Sequence, residues 1–135
     1  MRQKLNCILL VDDDPDDNYF HQLIINKMNI VNRIDIARNG LEAIDYLKDE
    51  NINPPDLIFL DLNMPKMNGW EFLEEYKHLG KAKKAKVLIV ILTTSANPDD
   101  IIRAKEIQDV TGFETKPLSK AFLTGILEQH FQDHL

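Results

Sequence analysis

Cysteine and long hydrophobic runs are the two features that this sequence most clearly lacks. Cys7 is the one cysteine among 135 residues, so no internal disulfide can form and a reducing compartment is expected. The longest aliphatic run, residues 87–92, is far shorter than the roughly 20 apolar residues of a membrane helix. The first residues carry charge, but no long apolar segment of a signal peptide follows them. These absences predict a cytoplasmic protein that does not contact a membrane.

Basic residues are also scarce relative to acidic ones. Lysine and arginine total 16 against 22 aspartates and glutamates, which gives a net charge of −6. Surfaces that bind nucleic acid rely on Lys and Arg, so nucleic-acid binding is not expected. Repeats, low-complexity tracts and a linker to a second domain are absent from the sequence as well. The length therefore predicts a single domain over residues 1–135 without an output domain, so that any output requires a binding partner.

Apolar segments of two kinds alternate along the chain. Short continuous or alternating runs predict five strands, at residues 7–11, 33–38, 57–60, 87–92 and 112–115. Longer stretches between them carry apolar residues at helical spacing and predict five helices, at residues 16–28, 41–47, 72–79, 99–109 and after Ser119. In the first helix this stripe comprises Phe20, Leu23, Ile24 and Met28. Five strand–helix units with short loops predict an α/β fold, a doubly wound parallel sheet with helices on both faces.

Polar side chains follow four of the predicted strands at the point where each strand ends. They are Asp12 and Asp13, then Asp61, then Thr93 and Thr94, and finally Lys116. Ligands of open parallel sheets bind outside the carboxyl ends of the strands, so we expect these groups to meet at one edge. Clustered carboxylates suit Mg²⁺, and a carboxylate can also act as a nucleophile toward phosphorus. The sequence thus predicts a cation site with a phosphate receptor beside it.

These motifs, in this order and at these spacings, resemble those of response-regulator receiver domains, the CheY-like family, over nearly the whole chain. The matching segments are Asp12-Asp13, Leu60-Asp61-Leu62-Asn63-Met64-Pro65-Lys66-Met67-Asn68-Gly69, Leu92-Thr93-Thr94 and Lys116-Pro117. The resemblance implies a five-stranded flavodoxin-like sheet of strand order 2-1-3-4-5, with a cis peptide bond before Pro117. It also implies a stand-alone phosphoacceptor rather than an enzyme, one that catalyses only its own phosphorylation and dephosphorylation.

The family resemblance assigns a role to each residue of the predicted site. Asp61 would accept a phosphoryl group from the phosphohistidine of a sensor histidine kinase. Asp13 and Asp61 would ligate Mg²⁺ directly, Asp12 through a bound water, and Asn63 through its backbone carbonyl. Lys116 would pair with Asp61 and later with the phosphoryl oxygens.

The resemblance also implies a switch. Thr93 would move toward the phosphoryl group, and Phe113 would follow it inward. Counting back from Lys116 instead favours Thr94, so Thr94 is the alternative. The affected surface would comprise the fourth helix, fifth strand and fifth helix, which would contact an effector or a histidine phosphotransfer protein. The protein would be a monomer or a weak homodimer.

Several other polar residues receive simpler interpretations. Asp14 extends the acidic run and is interpreted as a helix cap or a solvated acid. The four histidines show no metal-ligand spacing and are predicted to lie on solvated helix faces; they are His21, His78, His130 and His134. Ser95 stands two residues past Thr93, where it would influence the lifetime of the phosphate.

Two other functions compete with the signalling switch. In a Mg²⁺-dependent phosphatase, Asp12 would be the nucleophile and Asp14 the acid–base group, which leaves Asp61 and Lys116 unexplained. In an interaction module independent of phosphorylation, an acid or the lysine is usually lost, and neither is missing here.

Overall fold

The computed structural model describes residues 4–80, 87–94 and 97–131, and strands and helices alternate through them. The strands are β1 (Leu5–Val11), β2 (Val31–Ala37), β3 (Leu57–Leu60), β4 (Leu88–Thr93) and β5 (Val110–Thr115). The helices are α1 (Pro15–Met28), α2 (Gly40–Lys48), α3 (Gly69–Tyr76), α4 (Pro98–Lys105) and α5 (Lys120–His130). In the described part of the chain, no helix has the length and apolar character needed to cross a membrane.

The five strands form one parallel sheet in the order β2-β1-β3-β4-β5, which confirms the predicted fold. Strands β1 and β3 are almost entirely buried because helices cover both faces of the sheet. Helices α2, α3 and α4 pack on one face, and helices α1 and α5 pack on the other. Cys7 is buried within this sheet, as expected of a small apolar side chain.

Side-chain caps fix where the helices begin. The Asp14 carboxylate accepts hydrogen bonds from the backbone N–H groups of Asp16 and Asp17, which confirms its predicted role as a cap. Asn97 and Ser119 cap α4 and α5 in the same way, as their positions in the sequence indicated. Because α1 starts directly after β1, its first turn lies at the carboxyl edge of the sheet.

The predicted apolar stripe of α1 is wrong in two of its four members. Phe20 and Leu23 are 42% and 40% exposed, whereas Asn18, His21 and Ile25 form the buried face. These three residues are spaced three and four apart, so they share one side of the helix. The helix carries apolar residues on more than one side, and packing against β1 selects the face with two polar members.

The ends of α3 and α4 also differ from the prediction. Helix α4 ends at Lys105 rather than at residue 109. The N–H groups of Glu106 and Ile107 donate to the carbonyls of Arg103 and Ala104, three residues back, and this tighter 3₁₀-type turn closes the helix. Helix α3 ends at Tyr76, before the expected terminator Gly80. The predicted connection at residues 81–86 lies outside the described residues.

One aromatic contact joins α3 to α4. The guanidinium carbon of Arg103 lies 4.2 Å from the centre of the Trp70 ring. Arg103 is exposed, so the contact contributes mainly a cation–π attraction at the surface. Trp70 is half-buried, so the pair forms part of the surface groove between these two helices.

Candidate functional site

Strand register brings the two acidic segments together. Val11 pairs with Leu60 between β1 and β3, so Asp12 and Asp61 follow adjacent strand ends. The backbone N–H of Asp61 donates to the carbonyl of Val11 at 2.9 Å and continues the ladder by one residue. Gly69 starts α3 close by, and its N–H donates to the carbonyl of Leu62, the residue that follows Asp61. Backbone hydrogen bonds of Asp61 and of the adjacent Leu62 therefore fix the position of Asp61 at this edge.

Three carboxylates meet at this edge and are called the acid cluster below. One oxygen from each of Asp12, Asp13 and Asp61 lies within 4.8 Å of the other two. Asp12 and Asp61 are buried, whereas Asp13 is exposed. Burial raises the pKa of Asp61 to about 6, because Asp12 and Asp13 add to the effect and Lys116 only partly offsets it. Without a cation, the cluster thus resists full ionisation.

Lys116 places its ammonium beside the acid cluster. Thr93 pairs with Thr115 between β4 and β5, and the N–H of Lys116 donates to the carbonyl of Thr93. The Lys116 Nζ lies 2.6 Å from Asp12 Oδ2 and 3.6 Å from Asp61 Oδ1. Burial alone would lower the pKa of Lys116, but its hydrogen bonds to carboxylates outweigh burial and raise it. The peptide bond to Pro117 is cis, as predicted.

Asp17 is a member of the site that the sequence interpretation missed. Its Oδ2 accepts a hydrogen bond from Lys116 Nζ at 2.9 Å, which is shorter than the distance from Nζ to Asp61. Asp17 stands in the first turn of α1, one turn after the Asp14 cap. The capped helix start was visible in the sequence, but the contact spans 99 positions along the chain. No local pattern identifies which acid of the run meets the lysine.

Two polar side chains of α1 lie beneath the acid cluster. Asn18 donates from Nδ2 to the backbone carbonyl of Asp12 at 3.0 Å, and its buried Oδ1 has no hydrogen-bond partner among the described residues. His21 is only 2% exposed, so its predicted solvated position is wrong. Its ring lines a small cavity with Asp12, Asn18 and Asp61, and burial, together with Lys116, lowers its pKa. His78 and His130 are exposed as predicted, and His134 lies outside the described residues.

The two threonines after β4 occupy different environments. Thr93 is buried at the last position of the strand, whereas Thr94 is exposed just beyond it. Phe113 pairs with Ile91 in the sheet and is partly buried. Asn63 lies in the loop after β3 with an exposed side chain. Ser95 is outside the described residues.

The contacts of Asp12 and Asp14 bear on the phosphatase alternative. Asp12 accepts hydrogen bonds from the ammonium of Lys116 and from the N–H of Asp14. The Asp14 carboxylate is engaged in capping α1, which leaves it poorly placed for acid–base catalysis. These contacts do not favour an aspartyl nucleophile on β1.

The acid cluster has the chemistry of a divalent-cation site. All three of its groups offer hard oxygen ligands, and two of them are buried, so that a cation would offset their mutual repulsion. Burial raises the pKa of Asp61, and the neighbouring carboxylates add to the rise, so a cation at this position would relieve an unfavourable charge. The residues present therefore fit a divalent metal ion.

Comparison with known proteins identifies the family. Residues 8–128 match the family model described as the response regulator receiver domain. The chain belongs to the response regulator receiver domain family. Receiver domains work in two-component systems with histidine kinases and effectors. Membership of the family therefore confirms the prediction that this chain is a receiver domain of a two-component system.

Individual receiver domains resemble this one closely. The response regulator Rcp1 of Synechocystis is 39% identical over 104 residues, which cover 74% of this chain and 69% of that protein. A two-component response regulator from Cytophaga hutchinsonii has a crystal structure with a TM-score of 0.88 at 29% identity, covering 96% of this chain and 99% of the other. A Mn²⁺-bound form of Rcp1 has a TM-score of 0.74 at 35% identity, covering 91% and 92%. The last comparison is consistent with divalent-metal binding by this receiver domain.

Proposed function

We propose that this receiver domain is a phosphoacceptor in which Asp61 takes a phosphoryl group from the phosphohistidine of a sensor histidine kinase. The observation that carries the proposal is the convergence of Asp61 with Lys116 and two further carboxylates at one sheet edge. Phosphoryl transfer requires positioning and charge neutralisation more than acid–base chemistry. This site offers the Asp61 carboxylate as nucleophile, the Lys116 ammonium as a fixed positive charge, and carboxylate ligands for a divalent metal ion.

The transfer step follows from the chemistry of the carboxylate. An oxygen of Asp61 forms a bond to phosphorus while the phosphorus–nitrogen bond of the donor breaks. The bonding electron pair leaves with the imidazole nitrogen, which takes a proton from solvent. The product is an acyl phosphate on Asp61. Asp61 must be ionised to attack, and with a pKa of about 6 it is mostly ionised at pH 7.5, so a bound cation would extend its ionisation to lower pH.

Lys116 and a Mg²⁺ ion held by the acid cluster would together neutralise the negative charge of the phosphoryl group. Asp13 and Asp61 would hold Mg²⁺ directly, Asp12 through a bound water, and Asn63 through its backbone carbonyl. When bound, the ion supplies positive charge to the non-bridging phosphoryl oxygens. The ammonium of Lys116, already 3.6 Å from Asp61, would contact those oxygens from another side.

Thr93 and Phe113 would communicate the phosphorylated state. Thr93 sits at the end of β4 beside Lys116, from where a hydroxyl can turn toward a phosphoryl group on Asp61. Phe113 would then move inward and alter the face formed by α4, β5 and α5. That face would bind an effector, or the domain would pass its phosphate to a histidine phosphotransfer protein. We assign it no catalytic turnover beyond its own phosphorylation and dephosphorylation.

Acetyl phosphate provides a direct test of the proposal. Incubation of the protein with acetyl phosphate and Mg²⁺ should add the mass of one phosphoryl group, and chelation of the metal should suppress the addition. Peptide mapping after borohydride reduction should locate the acyl phosphate at Asp61. Absence of an adduct in the presence of Mg²⁺ would rule out the proposed function, and steady turnover of a small phosphoester would support the phosphatase instead.

The raised pKa of Asp61 predicts how stability depends on pH. Its carboxyl is protonated more readily when folded than when unfolded, so its contribution to stability is complete below about pH 4 and is lost as pH rises through about 6. The shift from 3.8 to about 6 corresponds to about 3 kcal/mol in free energy of unfolding. His21, whose pKa is lowered, acts in the opposite direction in the same range.

Mg²⁺ should cancel this loss, because binding requires ionised Asp61. We expect Mg²⁺ to raise the melting temperature strongly at pH 7.5 and hardly at all at pH 5. Thermal unfolding with and without Mg²⁺ across this range measures the effect, and the difference between the wild type and Asp61→Asn separates Asp61 from His21. An equal stabilisation by Mg²⁺ at both pH values would contradict the expectation.

A further inference from the structure

Lys116 has three acidic neighbours, and one of them is absent from the motifs by which the family was identified. Its Nζ lies 2.6 Å from Asp12, 2.9 Å from Asp17 and 3.6 Å from Asp61. The lysine side chain is only 8% exposed, whereas that of Asp17 is 34% exposed. Asp17 is therefore a charged partner that reaches the lysine from the rim of the site.

The distances rank the three partners. An ammonium group has three N–H donors, and among the described residues those of Lys116 form hydrogen bonds of normal length with Asp12 and Asp17 only. The separation from Asp61 is that of an ion pair without a good hydrogen bond. Lys116 is thus hydrogen-bonded to Asp12 after β1 and to Asp17 on α1 rather than to the residue that would carry the phosphoryl group.

We propose that Asp17 is a positioning residue that holds Lys116 away from Asp61 before phosphorylation. The inference rests on the proposed function, in which Lys116 contacts the phosphoryl oxygens. To reach them, Lys116 has to weaken or give up its hydrogen bond to Asp17. Asp17 consequently stabilises the unphosphorylated form and lowers the equilibrium preference for the phosphorylated form.

Asp17 acts through the lysine and not through the metal. It is not one of the carboxylates that lie within 4.8 Å of one another in the described residues. Its loss should therefore leave the affinity for Mg²⁺ almost unchanged. A charge-assisted hydrogen bond is stronger than a neutral one, but partial exposure of Asp17 reduces its effect. Releasing Lys116 should favour the phosphorylated form by about threefold to tenfold.

The test compares two substitutions in the same turn of α1. Asp17→Asn removes the negative charge from the contact, and Asp16→Asn removes the same charge from an exposed side chain that forms no ion pair with Lys116 among the described residues. With Mg²⁺ present, Asp17→Asn should bind beryllofluoride, a phosphoryl mimic, about threefold to tenfold more tightly than the wild type. Asp16→Asn should bind it as the wild type does, and Asp17→Glu should restore most of the wild-type affinity.

Two further measurements separate positioning from a general structural effect. The ¹H–¹⁵N signal of the Lys116 ammonium should shift in Asp17→Asn and stay in place in Asp16→Asn. Both variants lose one acid from the same helix turn, but Asp17→Asn also loses the charge that pairs with Lys116, so its melting temperature should lie slightly below that of Asp16→Asn even though it binds the mimic more tightly.

The outcomes distinguish this inference from the function on which it rests. Equal beryllofluoride affinities for Asp17→Asn and Asp16→Asn would overturn the role of Asp17, as would weaker binding by Asp17→Asn alone. If the wild-type protein itself binds no beryllofluoride and forms no adduct with acetyl phosphate, the proposed function fails and the inference fails with it.

Discussion

Asp61→Asn is expected to abolish phosphorylation and, at the same time, to stabilise the metal-free protein. An amide has no nucleophilic oxygen comparable to a carboxylate, so no acyl phosphate forms. At pH 7.5 the wild type keeps an ionised carboxylate in a buried site where the pKa is about 6. Removing that charge should raise the free energy of unfolding by about 2 to 3 kcal/mol, which is a rise in melting temperature on the order of 5 to 10 °C.

Asp14→Asn is the matched control for this substitution. It makes the same chemical change in the neighbouring acidic run, but Asp14 caps α1 and asparagine caps helices equally well. Mass spectrometry after acetyl phosphate treatment and thermal unfolding in a chelator measure the two effects. A phosphoryl adduct that persists in Asp61→Asn would show that another residue is the acceptor, and a fall in its stability would contradict the cost assigned to the buried charge.

Gly69→Ala is expected to destabilise the protein and to displace the acceptor. A Cβ atom at position 69 would lie 2.6 Å from the backbone oxygen of Asp61 and 2.9 Å from the Cα of Leu62. Both atoms belong to the backbone, so α3 or the end of β3 has to move. Overpacking of this kind costs about 1 to 3 kcal/mol. A displacement of about 1 Å at the acceptor can lower the rate of phosphorylation about 100-fold.

Gly125→Ala provides the control with the opposite sign. Gly125 lies inside α5, and an added Cβ would meet nothing within 4 Å. Alanine is favoured over glycine in a helix interior by up to about 1 kcal/mol, so this variant should melt at a higher temperature than the wild type. Equal melting temperatures for the two alanine variants would mean that the close contact at Gly69 is relieved without cost.

The sequence was sufficient to predict the sheet and the acid cluster because both follow from apolar runs that end in polar residues. Buried parallel strands are nearly continuous in Val, Ile and Leu, and their carboxyl ends share one edge. Asp12 and Asp61 come directly after such runs and Lys116 follows the shorter strand around Phe113, so their meeting could be expected before any coordinates. The first and last residues of the elements shifted by a few positions, as in α4, because local hydrogen bonds decide them.

The misjudged residues all lie on α1. This helix has apolar side chains on several sides, so periodicity alone does not show which face packs on the sheet. The fold buries His21 and Asn18 and leaves Phe20 and Leu23 exposed. The buried face is determined by the packing of α1 on β1 and by the hydrogen bond from Asn18 to Asp12. Asp17 was missed for the same reason, since its partner Lys116 approaches only when the whole sheet is assembled.

The stack of Arg103 on Trp70 gives the molecule a natural optical probe. Trp70 is the single tryptophan of the chain, so all indole fluorescence comes from one position. The Trp70 ring belongs to α3, which starts close to Asp61, and the Arg103 guanidinium 4.2 Å away belongs to α4. Emission wavelength and intensity therefore report the spacing of these two helices without an attached dye, and they do so in the unmodified protein.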